Sequence, residues 1–299
     1  MAVLALFWGS AFLWIRLALQ HGFAPIQITV LRAALGAAVL LVLARSARQR
    51  LPRGGAVWRR LAVAAFFCNA LPFFLTAYGE RSVGSGLAGV LHATTPLWSL
   101  LIGLALGTDR LRDPLRLGGL LLGFAGVLLI FSPWRESGGL SGPGALALLG
   151  AAASYAIAFA YMARALASTG VAPLALSAAQ LTAAAGLGVL ALPVAGVRSD
   201  VDPIGIAAVT VLGIVGTGLT FHLNYRLIAT EGPTAAATVG YLLPVVSTAL
   251  GALVLGEEPT VHAVAGMAVV LAGVYMTKRQ KPEWEADKKG LAAPAIPPD

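Results

Sequence analysis

Charge is scarce in this chain. Only 11% of its 299 residues are Asp, Glu, Lys or Arg, against roughly 25% in a soluble domain. With 58% of its residues apolar, a globule could not give itself a wet exterior, so a soluble fold is excluded. Cysteine is almost absent: Cys68 is alone and sits inside an apolar run, which forbids an intrachain disulfide and argues against a metal cluster. The four histidines are scattered, and no Asp or Glu lies deep in an apolar run. A membrane enzyme would need a nucleophile with its base, a metal set or an acidic pair. The expectation is therefore an all-α integral membrane protein that is not an enzyme and takes no cofactor or metal.

What the chain does have is long apolar runs. Runs able to cross a bilayer, for which about 17 to 25 residues are needed, fall near 2–20, 26–44, 61–79, 84–106, 115–132, 144–166, 173–196, 203–227, 233–255 and 260–277. Glycine and proline punctuate the breaks, as at Gly22 and Pro25, Pro114, Pro203, and Gly232-Pro233. The net charge of +8 could point to nucleic acid, but the basic residues sit in short segments between the runs. Arg45, Arg48, Arg50, Arg53, Arg59 and Arg60 share one side with Arg110, Arg112 and Arg116 and with the lysine-bearing tail. The other side carries only Arg81, Arg135 and Arg198, beside Glu80, Glu136, Asp200, Asp202, Glu257 and Glu258. The basic side is the cytoplasmic one, which predicts ten transmembrane helices with both termini in the cytoplasm of a bacterial inner membrane. No basic stretch precedes the first run, which argues against a secretory signal.

Sliding the sequence on itself by 148 residues aligns Arg16 with Arg164, Gly22 and Pro25 with Gly170 and Pro173, Phe73 with Phe221, and Pro96 with Pro244. The chain thus reads as two five-helix units, residues 1–132 and 133–277, followed by a polar cytoplasmic tail at 278–299 that is expected to be disordered. A unit with an odd number of spans leaves its copy upside down. Such inverted-topology repeats are characteristic of transporters, whose two halves open a central site alternately to each side. The repeat also disposes of a false lead. Gly84-Ser85-Gly86-Leu87-Ala88-Gly89 spells the G-x-G-x-x-G dinucleotide turn, but it opens an apolar span with no strand before it.

Several segments resemble the drug/metabolite transporter superfamily, in particular its ten-span EamA-type members. They are "FWGSAFLWIRLAL" (7–19), "APIQITVLRAALGAAVLL" (24–41), the pair "AGVLHATTPLWSLLIGLALG" (88–107) and "AATVGYLLPVVSTALGALVLGEEPT" (236–260), and the closing pair "GGLLLGFAGVLLI" (118–130) and "AGMAVVLAGVYM" (265–276). The resemblance implies an alternating-access exporter of small metabolites, most readily amino acids as in the YddG type, with the lipid bilayer and a small solute as its partners. It is compatible with a monomer. The alternative is an exporter of cationic drugs or other small metabolites, and the lack of deep carboxylates speaks against the cationic drugs. Sugar-phosphate carriers of the superfamily commit basic residues to phosphate, and no lysine lies in a span here.

Polar side chains inside hydrocarbon usually face the bundle interior. Asn69, Pro72 and Thr76 form a stripe in span 3 that maps to Thr217, Thr220 and Asn224 in span 8. Such stripes either line a site or tie helices together. His92 and Thr95 share a face of span 4, and Tyr241 lies in span 9. Pro96 and Pro244 act as gating joints or as tolerated kinks. Of the aromatics, Tyr78, Trp98 and Tyr155 are candidate cavity residues, with Trp98 and Tyr155 singled out as deepest. Arg32 reads as snorkelling to the interface. Arg16 could do the same or receive a substrate carboxylate. His92 and His222 are the residues through which proton coupling could run, with downhill uniport the preferred reading. The site is expected between spans 3, 4, 8 and 9, closed by span 1 or 6.

Overall fold

The computed structural model describes residues 2–106, 114–131, 142–166, 169–195, 200–246 and 261–278. Arg110, Arg112, Arg135, Glu136, Arg198, Glu257, Glu258 and the tail beyond 278 lie outside the described residues.

Proline, which cannot donate a backbone hydrogen bond, is best tolerated at the first turn of a helix, where that donor would be idle. The chain uses it that way repeatedly. Helices α2 (Pro25–Ser46), α5 (Pro114–Phe131), α6 (Pro143–Ala165), α7 (Pro173–Ala195) and α8 (Pro203–Glu231) all begin on proline. So does α9, which starts as Pro233–Thr238, tightens into a 3₁₀ turn at Val239–Tyr241 and is described to Val246. The remaining elements are α1 (Ala2–Gln20), α3 (Gly55–Gly79), α4 in two pieces (Ser85–His92 and Thr95–Ala105), and α10 (Val261–Lys278). Among the described residues there is no strand.

Seven helical stretches, those of α1, α2, α3, α4, α6, α7 and α8, are long and apolar enough to cross a membrane. The apolar parts of α5, α9 and α10 are shorter, at Leu117–Ile130, Ala235–Val246 and Val261–Met276. Large apolar side chains such as Val42, Leu121, Leu190 and Val261 lie exposed on the outside, the surface that lipid covers.

The most extensive helix pairings are α5 with α10 and α2 with α7, followed by α3 with α6. Lipid is as apolar as leucine, so helices in a membrane gain from close backbone approach rather than from hiding apolar surface. The α5–α10 pair is built that way: a Cβ on Gly273 would stand 2.5 Å from the Gly123 backbone nitrogen, and one on Gly126 2.6 Å from that of Val270.

Two helices widen by one residue per turn into π segments, Phe66–Ala70 in α3 and Ile214–Leu219 in α8. In α3 the cause is Pro72, whose ring and missing N–H disturb the turn before it. In α8 the hydroxyls of Thr217 and Thr220 donate to carbonyls five residues back, those of Leu212 and Val215. The first residues of the two π segments are 148 positions apart. So are Gly22 and Gly170, both at positive φ in the turns before α2 and α7. At Gly22 a side chain is also excluded by contact, since a Cβ would sit 2.2 Å from the Asp200 carbonyl oxygen. Next to that contact Asp202 caps α8, accepting from the Gly205 N–H at 2.9 Å and meeting His21 Nδ1 at 2.6 Å.

Candidate substrate cavity

Ordinary α-geometry fails in α4 and α9 at facing positions. Pro96 cannot bond back to the His92 carbonyl, and the Thr95 hydroxyl donates to that oxygen instead, at 2.7 Å. The helix breaks at Ala93–Thr94. In α9 the 3₁₀ turn precedes Pro244, and a Cβ on Gly240 would lie 3.8 Å from the His92 carbonyl oxygen. Between these irregular turns and the middle of α1 lies a narrow cavity that opens through a mouth.

Six elements form the wall. α1 gives Trp8, Ala11, Phe12 and Ile15; α6 gives Tyr155 and Phe159; α9 gives Ala236, Ala237, Gly240 and Leu243. The polar lining comes from Arg32 of α2, Thr76 of α3, and His92 and Thr95 of α4. The aromatic rings brace one another: Trp8 meets Tyr155 edge-on at 5.9 Å between centroids, and Phe12 meets His92 at 5.2 Å. The single hydrogen of the Thr76 hydroxyl goes to the Pro72 carbonyl at 2.7 Å, so its oxygen accepts from His92 Nε2 at 3.0 Å. This places a proton on Nε2 and fixes the ring.

Arg32 is the charged member of the wall and is only 2% exposed. It does not snorkel. Its Nε donates to Thr217 Oγ1 at 3.0 Å, and its guanidinium lies flat over the Phe73 ring, 3.7 Å from the centroid. Burying an ion costs several kcal/mol even after relaxation. A hydrogen bond from a charged donor returns about 1.5–3 kcal/mol, and a desolvated cation–π contact about 2 kcal/mol. These contacts offset the penalty at best. Among the described residues no carboxylate stands within ion-pair distance of the guanidinium, and its Nη groups have no hydrogen-bond partner. Glu80, just past the end of α3, is within electrostatic reach of Arg16 and Arg32. It is fully buried, and neither carboxyl oxygen is bonded.

The other sequence candidates are placed as follows. Thr76, His92, Thr95 and Tyr155 come together on the wall, but Asn69, Thr217 and Asn224 do not reach it. Asn69 accepts from Gln180 Nε2 at 2.6 Å, while Asn224 is buried with neither polar atom bonded. No residue of α8 lines the cavity; α1, α2 and α6 do. Arg16 lies off the wall, donating through Nη1 to the Glu80 carbonyl oxygen at 2.9 Å. Trp98 is 36% exposed on the outer surface, and Tyr78 stacks on Phe74 beside Arg81. His222 is half-buried away from the cavity, and Tyr241 is buried against Gly123. Pro96 and Pro244 are both buried.

The residues that sequence reasoning passed over are Arg32 as a cavity residue, Gln180 and Glu80. Sliding by 148 would have found one of them, because it sets Arg32 opposite Gln180. The structure gives the two related bonds: Arg32 to Thr217 across α2 and α8, and Gln180 to Asn69 across α7 and α3.

A helical, multi-pass membrane protein with an interior cavity is thus defined by fold and site together. The chain matches the EamA-like transporter family over residues 1–132 and 142–279 and belongs to it. It is 26% identical to YdfC of Bacillus subtilis (strain 168), named an uncharacterized transporter, over 90% of this chain and 87% of that one. It is 25% identical to YedA of Escherichia coli (strain K12), named an uncharacterized inner membrane transporter, covering 98% of this chain and 93% of the other. An uncharacterized transporter of Archaeoglobus fulgidus is 26% identical over 94% and 98% of the two chains. A solved crystal structure at 22% identity superposes with a TM-score of 0.74 over 95% of this chain and 96% of its own, a likeness of fold.

Proposed function

We propose that the protein exports small metabolites, amino acids foremost, across the inner membrane by alternating access, through the cavity bounded by α1, α2, α3, α4, α6 and α9. In this reading the chain forms ten spans in two inverted five-helix repeats, and the cavity wall draws on both. The observation that carries it is the largely apolar cavity between these helices, with a buried guanidinium on its wall. The repeat-related bonds of Arg32 and Gln180, the paired π segments and the paired Gly22 and Gly170 turns support the inverted repeat. The irregular turns ahead of Pro96 and Pro244, which face each other, support these prolines as the gating joints. A guanidinium on the wall disfavours the cationic-drug alternative, since it repels the charge such a substrate brings.

The test is uptake of labelled threonine, methionine and phenylalanine into proteoliposomes, with and without an imposed pH gradient. Flux of at least one is expected. Ala236→Trp, which fills the cavity, should abolish that flux while the purified variant keeps its gel-filtration profile. Flux without a gradient assigns uniport; accumulation only with one assigns proton coupling and directs attention to His92. An unaffected flux in Ala236→Trp would remove the cavity from the pathway.

A further inference from the structure

We propose that Arg32 is the carboxylate receptor of the cavity, and that the solute it selects is a small monocarboxylate with an apolar body. The inference deepens the transport reading and rests on it for the cavity being the site. Three surfaces of the guanidinium are accounted for separately. Nε is spent on Thr217, whose own hydroxyl hydrogen is fixed on the Leu212 carbonyl at 2.9 Å. One flat face is spent on Phe73, which is itself held edge-on by Phe221 at 5.6 Å. What remains is the edge carrying the two Nη groups, without a hydrogen-bond partner among the described residues, on a residue that lines the cavity. Two parallel N–H donors at that edge match the two oxygens of a carboxylate.

A purely structural role does not require the charge. At the matching crossing of α7 with α3, Gln180 makes the equivalent bond to Asn69 with a neutral amide. The repeat therefore shows a tie that works without a cation, and the arginine copy bears the added cost of a buried ion. An anionic guest cancels that cost each time it binds. One fixed cation, with no second one among the described lining residues, suits a single negative charge better than a phosphate dianion or a dicarboxylate. The body of the guest meets Trp8, Phe12, Phe159 and Leu243, all apolar. No carboxylate among the described lining residues answers an ammonium group, so the amine of an amino acid is dispensable for binding and the acid group is not.

The experiment compares phenylalanine, 3-phenylpropionamide and 3-phenylpropionate for binding to the detergent-purified protein, by thermal shift and by tryptophan fluorescence with Trp8→Phe as the control. The two acids should bind, and the amide about tenfold more weakly or worse, the difference of one charge-assisted hydrogen bond. Arg32→Gln, which installs the residue found at the matching position, should lose about tenfold or more for both acids and leave the amide unchanged. Arg32→Lys should keep the preference for acids at reduced affinity. Equal binding of acid and amide by the wild type, or of no acid at all, overturns the proposal, and neither result depends on a variant folding. A uniform loss for all three compounds in Arg32→Gln also overturns it, marking Arg32 as a positioning residue. Charge-selective binding without flux in proteoliposomes would leave the carboxylate site standing and remove the transport reading. Flux indifferent to the carboxylate would do the reverse.

Discussion

Gln180 stands between two partners inside the bundle. It donates to Asn69 Oδ1 at 2.6 Å and accepts from the Tyr225 hydroxyl, so both ends of its amide are used. Removing one partner of a buried pair strands the other, at about 1–3 kcal/mol. Asn69→Leu should therefore lower the stability of the purified protein by about that amount, and Gln180→Leu likewise. The double variant should cost less than the sum of the two, with a coupling of about 0.5–3 kcal/mol in a double-mutant cycle from denaturant titrations in detergent. Strictly additive losses would show that the bond does not tie α7 to α3. Asn69, Thr76, Thr217 and Asn224 were legible as a duplicated polar stripe, because such groups seldom face lipid. Which neighbour each one meets was not legible. Lipid and protein interior are both apolar, so the apolar residues of a membrane helix carry no pattern that says which neighbour they meet. Arg32 was hidden for a related reason: from its position near the start of α2 an arginine reads as one that reaches water, and only the placement of Phe73 and Thr217 holds it inward.

Helix starts were the most legible elements, since proline and glycine act through the backbone and need no partner to be read. The π segments were not, although Pro72 stood in plain view, because a proline inside an apolar run can bend, break or widen a helix according to what packs against it. The start of α8 carries a charge as well as a proline. The Gly205 N–H first, and His21 second, hold the Asp202 carboxyl below its ordinary value of 3.8. A carboxylate whose folded value is lowered adds stability that is complete above the unfolded value and disappears as pH falls through the folded one. The thermal midpoint of the purified protein should thus decline as pH falls from about 5 to about 3. Asp202→Asn should start lower and lose part of that slope. An identical slope in the variant would mean that Asp202 does not anchor the join between the ends of α1 and α8.

At the scale of the whole molecule, orientation follows from where arginine is placed rather than from any contact. Arg48 and Arg81 are both exposed and stand at opposite ends of the bundle in the ten-span reading. With Cys68→Ala as background, Arg81→Cys should react with a membrane-impermeant maleimide in intact cells. Arg48→Cys should react only after permeabilisation, and the reverse pattern would invert the topology. The 148-residue offset was legible because landmarks at that one spacing recur across many residues, so chance at any one of them matters little. The asymmetry within it appears only when Arg32 is set beside Gln180, and that asymmetry has an electrical consequence. If the cavity opens to each side in turn, the charge on Arg32 changes its position in the membrane field. Full passage of one elementary charge is worth about 2.3 kcal/mol per 100 mV. An interior-negative voltage acting on that charge draws the empty carrier towards its cytoplasm-facing state, ready to load. A bound carboxylate neutralises the guanidinium and frees the loaded carrier from that pull. The resting voltage alone would then reset the cycle in the direction of export, with no second ion to carry.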